Sequence, residues 1–362
     1  MNKNIRIAIV GFGLIGQQHA LVFAKSDQVE LAAIVEPNAA NKGKAQKYGV
    51  PIYDDLEGLF KEGQVDGVVL ATPTPLHVEQ ALYCIENGCP VLIEKPIAVD
   101  AEQALEITKA SQDQNVPVLV GHHRRHNAMV RAAKAALETG VVGAIRSVQA
   151  TCWMYKPDTY FDEADWRKQK GAGPISVNLV HDVDLLRHFC GEVTKVHAVA
   201  VPSVRGYENE DLASAILTFA SGCVATISVS DSIAAPWSWE LTTGENPVYP
   251  KTDQSCYLIG GSEGALSIPN LDLWKHDPLP DWWADMESDK IPFEANDPLL
   301  DQMEHFGHVI RGDAQPLVSA EEGAKSLKVV EAIAKAAASG VAITVEPNAS
   351  KDINEKSIRR VI

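Results

Sequence analysis

The sequence predicts an α/β protein in two parts, the first built on a parallel sheet and the second on an open, mostly antiparallel one. Three observations carry this. Short, nearly continuous apolar runs alternate with amphipathic helical stretches through the first third of the chain, the pattern of strands covered on both faces by crossover helices. After "VPVLVGHH" that alternation stops, and strand-like runs follow with few helices between them. A chain of 362 residues also exceeds what one core usually organises. The boundary is expected near residue 122, giving domains 1–122 and 123–362.

The first run, "IRIAIV", is rich in β-branched residues and breaks at "GFGLIG" into a helical pattern. Gly11, Gly13 and Gly16 fit G-x-G-x-x-G directly after a strand and at a helix start. The first permits the tight turn, the second lets backbone approach a pyrophosphate, and the third lets helix and strand pack closely. Gly11, Phe12, Gly13, Leu14, Ile15 and Gly16 are therefore candidate dinucleotide contacts. "VELAAIVEPN" is the next strand, and Glu36 at its end lies 20 residues past Gly16. A carboxylate there accepts hydrogen bonds from the adenosine ribose and repels a 2′-phosphate, which favours NAD over NADP.

"VDGVVLATPT" ends a further strand, with Thr74 suited to cap a helix and Pro75 to begin it. Strand ends on this side face the ligand crevice of an open α/β sheet, so Ala71, Thr72, Pro73 and His77 are placed along the dinucleotide; an ordinary first-turn histidine is the alternative for His77. "VLIEKPIA" follows, and Glu94, Lys95 and Pro96 leave their strand at the same edge. Proline holds the residue before it extended. A lysine beside a cationic nicotinamide and partly out of water has a lowered pKa, and such a group can share the proton of a hydroxyl as hydride leaves the adjacent carbon. A surface salt bridge between Glu94 and Lys95 is the alternative from spacing alone.

In the second part, "NAMVRAAKAALETG" reads as a helix ending at Gly140. "AIRSVQATCWMY", "TKVHAVAVPS", "ASAILTFASG", "CVATISVSDS" and "SCYLIGG" read as strands, with a hairpin at "SGC". An antiparallel sheet of this kind has one covered face and another available for a partner. In "NLVHDVDLLRHF", Leu179, Val180, Val183 and Leu186 form an apolar stripe, while Asn178, His181 and Asp182 share another face placed over the crevice. Trp153, Tyr155, Tyr160 and Trp166 are candidates to stack on a sugar, or core residues. "ESDKIPFEANDP" reads as a surface loop. Ser319 and Glu322 make a capping box, and the tail "EPNASKDINEKSIRR" looks solvated.

A formal net charge of −16 argues against nucleic acid or an anionic membrane as the main partner. No run reaches the roughly 18–20 apolar residues that span a bilayer, and the N-terminal run lacks a signal-peptide pattern. The six scattered cysteines form no CxxC and read as free thiols of a cytoplasmic protein. The histidines of "GHHRRH" lack clustered partners at a metal-site spacing, so no metal is expected.

"GFGLIG", "ATPTPLH", "EKP" and "GHHRRH", with the later "GAGPISVNLVHDVDLLRHFCG" and "FGHVIRGDAQPLVSAEEGAKSLKVVEAI", occur in order along nearly the whole chain. In this the chain resembles the glucose–fructose oxidoreductase, inositol dehydrogenase and rhizopine catabolism (Gfo/Idh/MocA) family. The resemblance implies a Rossmann domain, a C-terminal α/β domain with an open, mostly antiparallel sheet, and a homodimer or homotetramer formed through that sheet. It implies nicotinamide-dependent oxidation of a sugar, polyol or sugar acid, with Lys95 and His181 catalytic and His123 and Arg124 near the substrate or the nicotinamide. Many relatives carry an aspartate where this chain has Val177, which leaves Asn178 the nearest polar group. A cofactor-retaining oxidoreductase and a catalytically silent nicotinamide sensor are the rival readings, and Val177 is what permits the second.

Overall fold

The computed structural model describes residues 4–346; the predicted solvated tail lies almost wholly outside them. Six strands, β1 (Ile5–Val10), β2 (Val29–Val35), β3 (Ile52–Tyr53), β4 (Gly67–Leu70), β5 (Val91–Ile93) and β6 (Val118–Val120), form one sheet in the order β3-β2-β1-β4-β5-β6. Every pair in it is parallel. Because β2 and β3 lie to one side of β1 and β4 to β6 to the other, the chain reverses direction between β1 and β4. That is where an open parallel sheet leaves a crevice at its carboxyl edge. The glycine turn after β1, the segment Ala71–Pro73 after β4 and Lys95 after β5 all emerge along this edge.

The second sheet has nine strands: β7 (Ile145–Trp153), β8 (Val193–Pro202), β9 (Glu210–Phe219), β10 (Val224–Ser230), β11 (Tyr257–Gly261), β12 (Gly264–Ile268), β13 (Asp272–His276), β14 (Met286–Lys290) and β15 (Ile343–Thr344). They run in the order β14-β13-β12-β11-β7-β10-β9-β8-β15, and among the described residues only β10 and β7 of this sheet pair in parallel. The predicted hairpin joins β9 to β10, with Gly222 at φ +84° in the turn. Alternation sorts the two faces. Val148, Ala150, Leu217, Ala225 and Ile227 point into the core, whereas Val199, Ile216 and Leu258 stay exposed on the outer face.

Two local expectations differ. Thr74 makes no cap; it is the first residue of a short 3₁₀ turn preceded by Pro73, with no capping side chain. "ESDK", read as loop, belongs to β14, whose residues are all exposed. Only backbone pairing with β13 makes it a strand, so it carries no apolar alternation to detect.

The helix Leu179–Cys190 sits under the inner face of the second sheet and is buried nearly all round. The C-terminal helix Ala320–Ser339 bridges the two halves: Ala324 and Leu327 join the core of the parallel sheet, and Val329, Val330 and Ile333 join that of the second sheet. The helix Pro298–Arg311 packs Met303, Phe306 and Val309 against Ile7 and Ile9.

The turn that follows β6 is tied to the buried helix by ion pairs. Arg125 grips Asp184 through two nitrogens, Nε to Oδ2 at 2.7 Å and one Nη to Oδ1 at 2.9 Å, and Ser326 donates to the same carboxylate at 3.2 Å. Burial alone would raise the Asp184 carboxyl, but the charges of His122 and Arg125 outweigh it and hold it at about 2. Removing one partner strands the other in the core, so Asp184→Asn or Arg125→Met should cost about 3–5 kcal/mol, read as a lower urea midpoint at unchanged m-value. Because the folded pKa is depressed, the stabilisation is present above the ordinary aspartate value and fades as pH falls towards about 2. The wild-type protein should therefore lose stability over that acid window more steeply than the Asp184→Asn variant.

Candidate active site

The glycine turn shows which of its residues answer to the protein and which to a ligand. Gly11 has φ +87°, and a Cβ there would meet the Ala71 carbonyl at 2.8 Å; a Cβ on Gly16 would lie 2.0 Å from the Gly11 carbonyl oxygen. Both glycines are demanded by packing. Gly13 is not: its φ is −67° and a Cβ there would meet nothing within 4 Å. Its bareness faces open space at the start of the helix Leu14–Phe23, where no side chain caps the free N–H groups. Such a start accepts phosphate. A cleft of about 1520 Å³ runs from this turn past Glu36 and Ala71, Thr72 and Pro73, and the residues present fit a dinucleotide.

Glu36 is buried at the cleft wall, accepting from the Phe12 N–H at 2.7 Å and the Asn38 N–H at 2.8 Å. Asp54 and Asp55 line the same end; among the described residues no lysine or arginine lines it, though Lys42 pairs with Asp54 just behind. Phe12 itself points into the core against Tyr48, so only its backbone faces the site. Leu14 and Ile15 line the cleft. His77 does not. Its ring is buried, with Nδ1 3.0 Å from the Pro96 carbonyl and Nε2 2.9 Å from that of Thr72, and burial lowers its pKa. It braces the loops that line the cleft from behind.

A second cleft, about 400 Å³, shares Ile15 with the first and is lined by Glu94, Lys95, His123, Arg124 and His181. Here the pairing of Glu94 with Lys95 is not what forms. Glu94 turns to His19, 2.7 Å away on the first helix, in space that a Cβ on Gly121 would fill at 2.9 Å. Burial works against the Glu94 charge, but the His19 hydrogen bond and the charges of His19, Lys95 and His123 prevail and hold its pKa at about 2. The Lys95 ammonium is left with no hydrogen bond or ion pair among the described residues. Burial lowers its pKa; Glu94 opposes this, and Arg124 and Lys156 reinforce it. The Lys95–Pro96 peptide is cis.

His181 is buried, and its pKa lies well below the ordinary value, through burial first and then the nearby charges of Lys95, Arg124 and His123. Its ring stands edge-on to His123 at 5.3 Å. His123 in turn meets Glu245 at 2.8 Å. Arg124 is enclosed between Asp182 and Glu240, 3.0 Å from each, with its guanidinium 4.8 Å above the Trp239 ring. Asp182 also takes the Tyr257 hydroxyl. Both contacts fall on Oδ1, and Oδ2 is buried without a partner; because Asp182 does not line the cleft, it acts as a buried anchor rather than a substrate contact.

Asn178 turns away as well, accepting from the buried Lys156 ammonium at 2.9 Å. Trp153 lies on the outer face of the second sheet, its indole N–H donating to Ser228 at 2.9 Å, because strand alternation puts residues 149, 151 and 153 opposite the buried 148, 150 and 152. Tyr155 is half exposed beneath Arg205 and lines neither cleft. Trp166 lines the dinucleotide cleft instead of the substrate cleft. The aromatic and polar wall of the Lys95 cleft comes from Trp239, Glu240, Glu245 and Tyr249. The run "APWSW" is aromatic but has no spacing that ties it to a cleft, and nothing in the sequence marks Glu245, whose partners His123 and Asn127 lie more than a hundred residues away. No group of three or more potential metal ligands exists among the described residues, and no helix among them is long and apolar enough to cross a membrane.

Comparison with known proteins agrees with this geometry. Residues 5–122 match the oxidoreductase family with an NAD-binding Rossmann fold, and residues 130–267 match the GFO/IDH/MocA C-terminal domain. The chain is 29% identical to the rhizopine catabolism protein MocA of Rhizobium meliloti over 187 residues, which are 52% of this chain and 57% of that one. It is 25% identical over 343 residues to scyllo-inositol 2-dehydrogenase (NADP(+)) IolW of Bacillus subtilis strain 168, covering 91% of this chain and 92% of that one. Among solved structures, the WlbA dehydrogenase from Bordetella pertussis in complex with NADH and UDP-GlcNAcA superposes with a TM-score of 0.78 at 25% identity, over 96% of this chain and 99% of that one. Both halves of the chain thus match one family along most of their length, and the protein belongs to the Gfo/Idh/MocA oxidoreductases.

Proposed function

We propose that the protein is an NAD-dependent dehydrogenase that moves hydride between the nicotinamide and a secondary hydroxyl of a sugar, cyclic polyol or sugar acid, with Lys95 and His181 at the proton. The observation that carries this reading is the unpaired Lys95 ammonium in a cleft that adjoins the dinucleotide cleft. Glu94, the obvious counter-ion, is held by His19, so Lys95 is free to meet a substrate oxygen. The bound dinucleotide supplies the hydride acceptor. Lys95 takes the hydroxyl proton as the carbonyl forms, and His181 holds the same oxygen in place. Glu36, Asp54 and Asp55 at the adenosine end support NAD over NADP, since a 2′-phosphate there would meet carboxylates, and the neighbouring Lys42 is already paired with Asp54. The exposed outer face of the second sheet supports a homodimer or homotetramer.

A panel of sugars, polyols and sugar acids with NAD, followed by NADH absorbance, tests the reading directly. On any compound that turns over, Lys95→Ala should lower kcat by about 10²–10⁴ and leave NAD affinity within a few fold; undiminished turnover removes Lys95 from the chemistry.

Oxidation needs Lys95 unprotonated, and its pKa lies below the ordinary 10.5. The rate should therefore rise with pH and level off below that value, and Lys95→Arg, which stays protonated, should lose this limb along with most of its activity. For the cofactor, Glu36→Ala should narrow the kcat/KM preference for NAD over NADP by at least about tenfold, roughly 1.4 kcal/mol. An unchanged ratio would mean that Glu36 does not read the ribose.

A further inference from the structure

Which substrates the Lys95 cleft admits follows from its charges, given the dehydrogenase reading above. Among the described residues, each cation at its wall except Lys95 is already matched. Lys25 at the rim meets Asp297 at 2.6 Å. Arg124 is held by Asp182 and Glu240; burial raises the Asp182 carboxyl, yet Glu240 alone balances Arg124 even when Asp182 is protonated. His123 meets Glu245. Lys156 does not line the cleft and is directed to Asn178, with Asp231 3.7 Å away. Lys95 is committed to the reacting oxygen. A carboxylate or phosphate elsewhere on the substrate would find no unpaired cation.

The anionic side has spare capacity. Glu240 spends Oε1 on Arg124, while its Oε2 is buried with no hydrogen-bond partner; Asp182 Oδ2 is unpartnered too, but of the two carboxylates only Glu240 lines the cleft. An unpartnered buried carboxylate oxygen is costly, and a hydroxyl satisfies it because a hydroxyl donates. An ionised acid only accepts, so it would add a second unpaired anion beside the first. We propose that Glu240 is a specificity-determining residue: its free carboxylate oxygen accepts a hydroxyl of an uncharged polyhydroxy substrate and turns away sugar acids and sugar phosphates.

The test uses the NAD-loaded protein and six probes, the neutral myo-inositol, D-glucose and D-xylose against D-glucuronate, D-gluconate and D-glucose 6-phosphate. Binding is read by calorimetry and turnover separately by NADH absorbance. At least one neutral probe should bind, and the charged probes should bind at least about a hundredfold more weakly, a spread of two powers of ten or roughly 2.7 kcal/mol. Glu240→Gln keeps the shape and removes the charge, so it should narrow that spread at least tenfold. A charged probe that binds as tightly as its neutral counterpart overturns the proposal. So does an unchanged spread in Glu240→Gln, or the failure of every neutral probe to bind. Tight neutral binding without NADH formation supports the charge selection and counts against the dehydrogenase reading.

Discussion

The site is held together by two consecutive arginines facing two aspartates. Arg124 and Arg125 follow β6 directly, and Asp182 and Asp184 lie on the buried helix just after His181. On a helix, residues two apart point about 200° apart around the axis, so the two carboxylates leave opposite sides. One side runs from Asp182 through Arg124 to Glu240 and the Trp239 ring, into the Lys95 cleft. The other runs from Asp184 through Arg125 to His188 and to Ser326 on the C-terminal helix. The parallel sheet is thereby joined to the helix of the second domain, and the place of His181 relative to Lys95 is set. Buried pairs of this kind add little net stability over an apolar alternative. What they provide here is placement, because both carboxylates also accept a hydroxyl, from Tyr257 and from Ser326.

The same logic explains why Lys95 is available. A lysine next to a glutamate would ordinarily be neutralised by it. The removal of Glu94 depends on His19 from the first helix and on the missing side chain of Gly121, which together give its carboxylate a different seat. Glycine at 121 is needed for that clearance and not for its backbone angles, since its φ is outside the left-handed range. The short parallel strands therefore do more than present loops at an edge. The spacing of β5 and β6 decides which charge turns inward and which is left unpaired at the cleft.

Much of this was legible in the sequence where the signal was local. The glycine turn, Glu36 and Lys95 each sit a fixed number of residues from a strand end, and strand ends are what apolar runs reveal best. Composition and helical face point to Trp153, Asn178 and Asp182, but their contacts are decided at long range. Trp153 follows the alternation of β7 to the outer face. Asn178 and Asp182 are taken by Lys156 and by Arg124 with Tyr257, more than twenty residues away in every case. Glu240 lies in the five-residue helix Trp239–Thr243 and Glu245 just past its end, an element too short to show a period, and their charged partners Arg124 and His123 come from the turn after β6. No local pattern encodes a meeting over such a separation. β14 leaves no pattern in the sequence for the related reason that its exposed residues pair with β13 through backbone alone.

In the proposed reaction the position of Val177 then has a physical consequence. Where relatives carry an aspartate, this chain offers His181 no carboxylate partner: Asn178 is turned to Lys156, and His181 Nδ1 is buried with no partner. Buried, and surrounded by Lys95, Arg124 and His123, the imidazole is held neutral far below its ordinary pKa, which makes it a weak base. Lys95 moves the other way in effectiveness, because lowering from 10.5 brings a lysine towards neutral pH, and a general base works best when its pKa is near the working pH. The two shifts divide the labour. Lys95 carries the proton, and His181 serves as a neutral hydrogen-bonding group that fixes the oxygen without competing for it. A carboxylate at 177 would raise the imidazole and blur that division; without it, the chemistry rests on the lysine that Glu94 leaves unpaired.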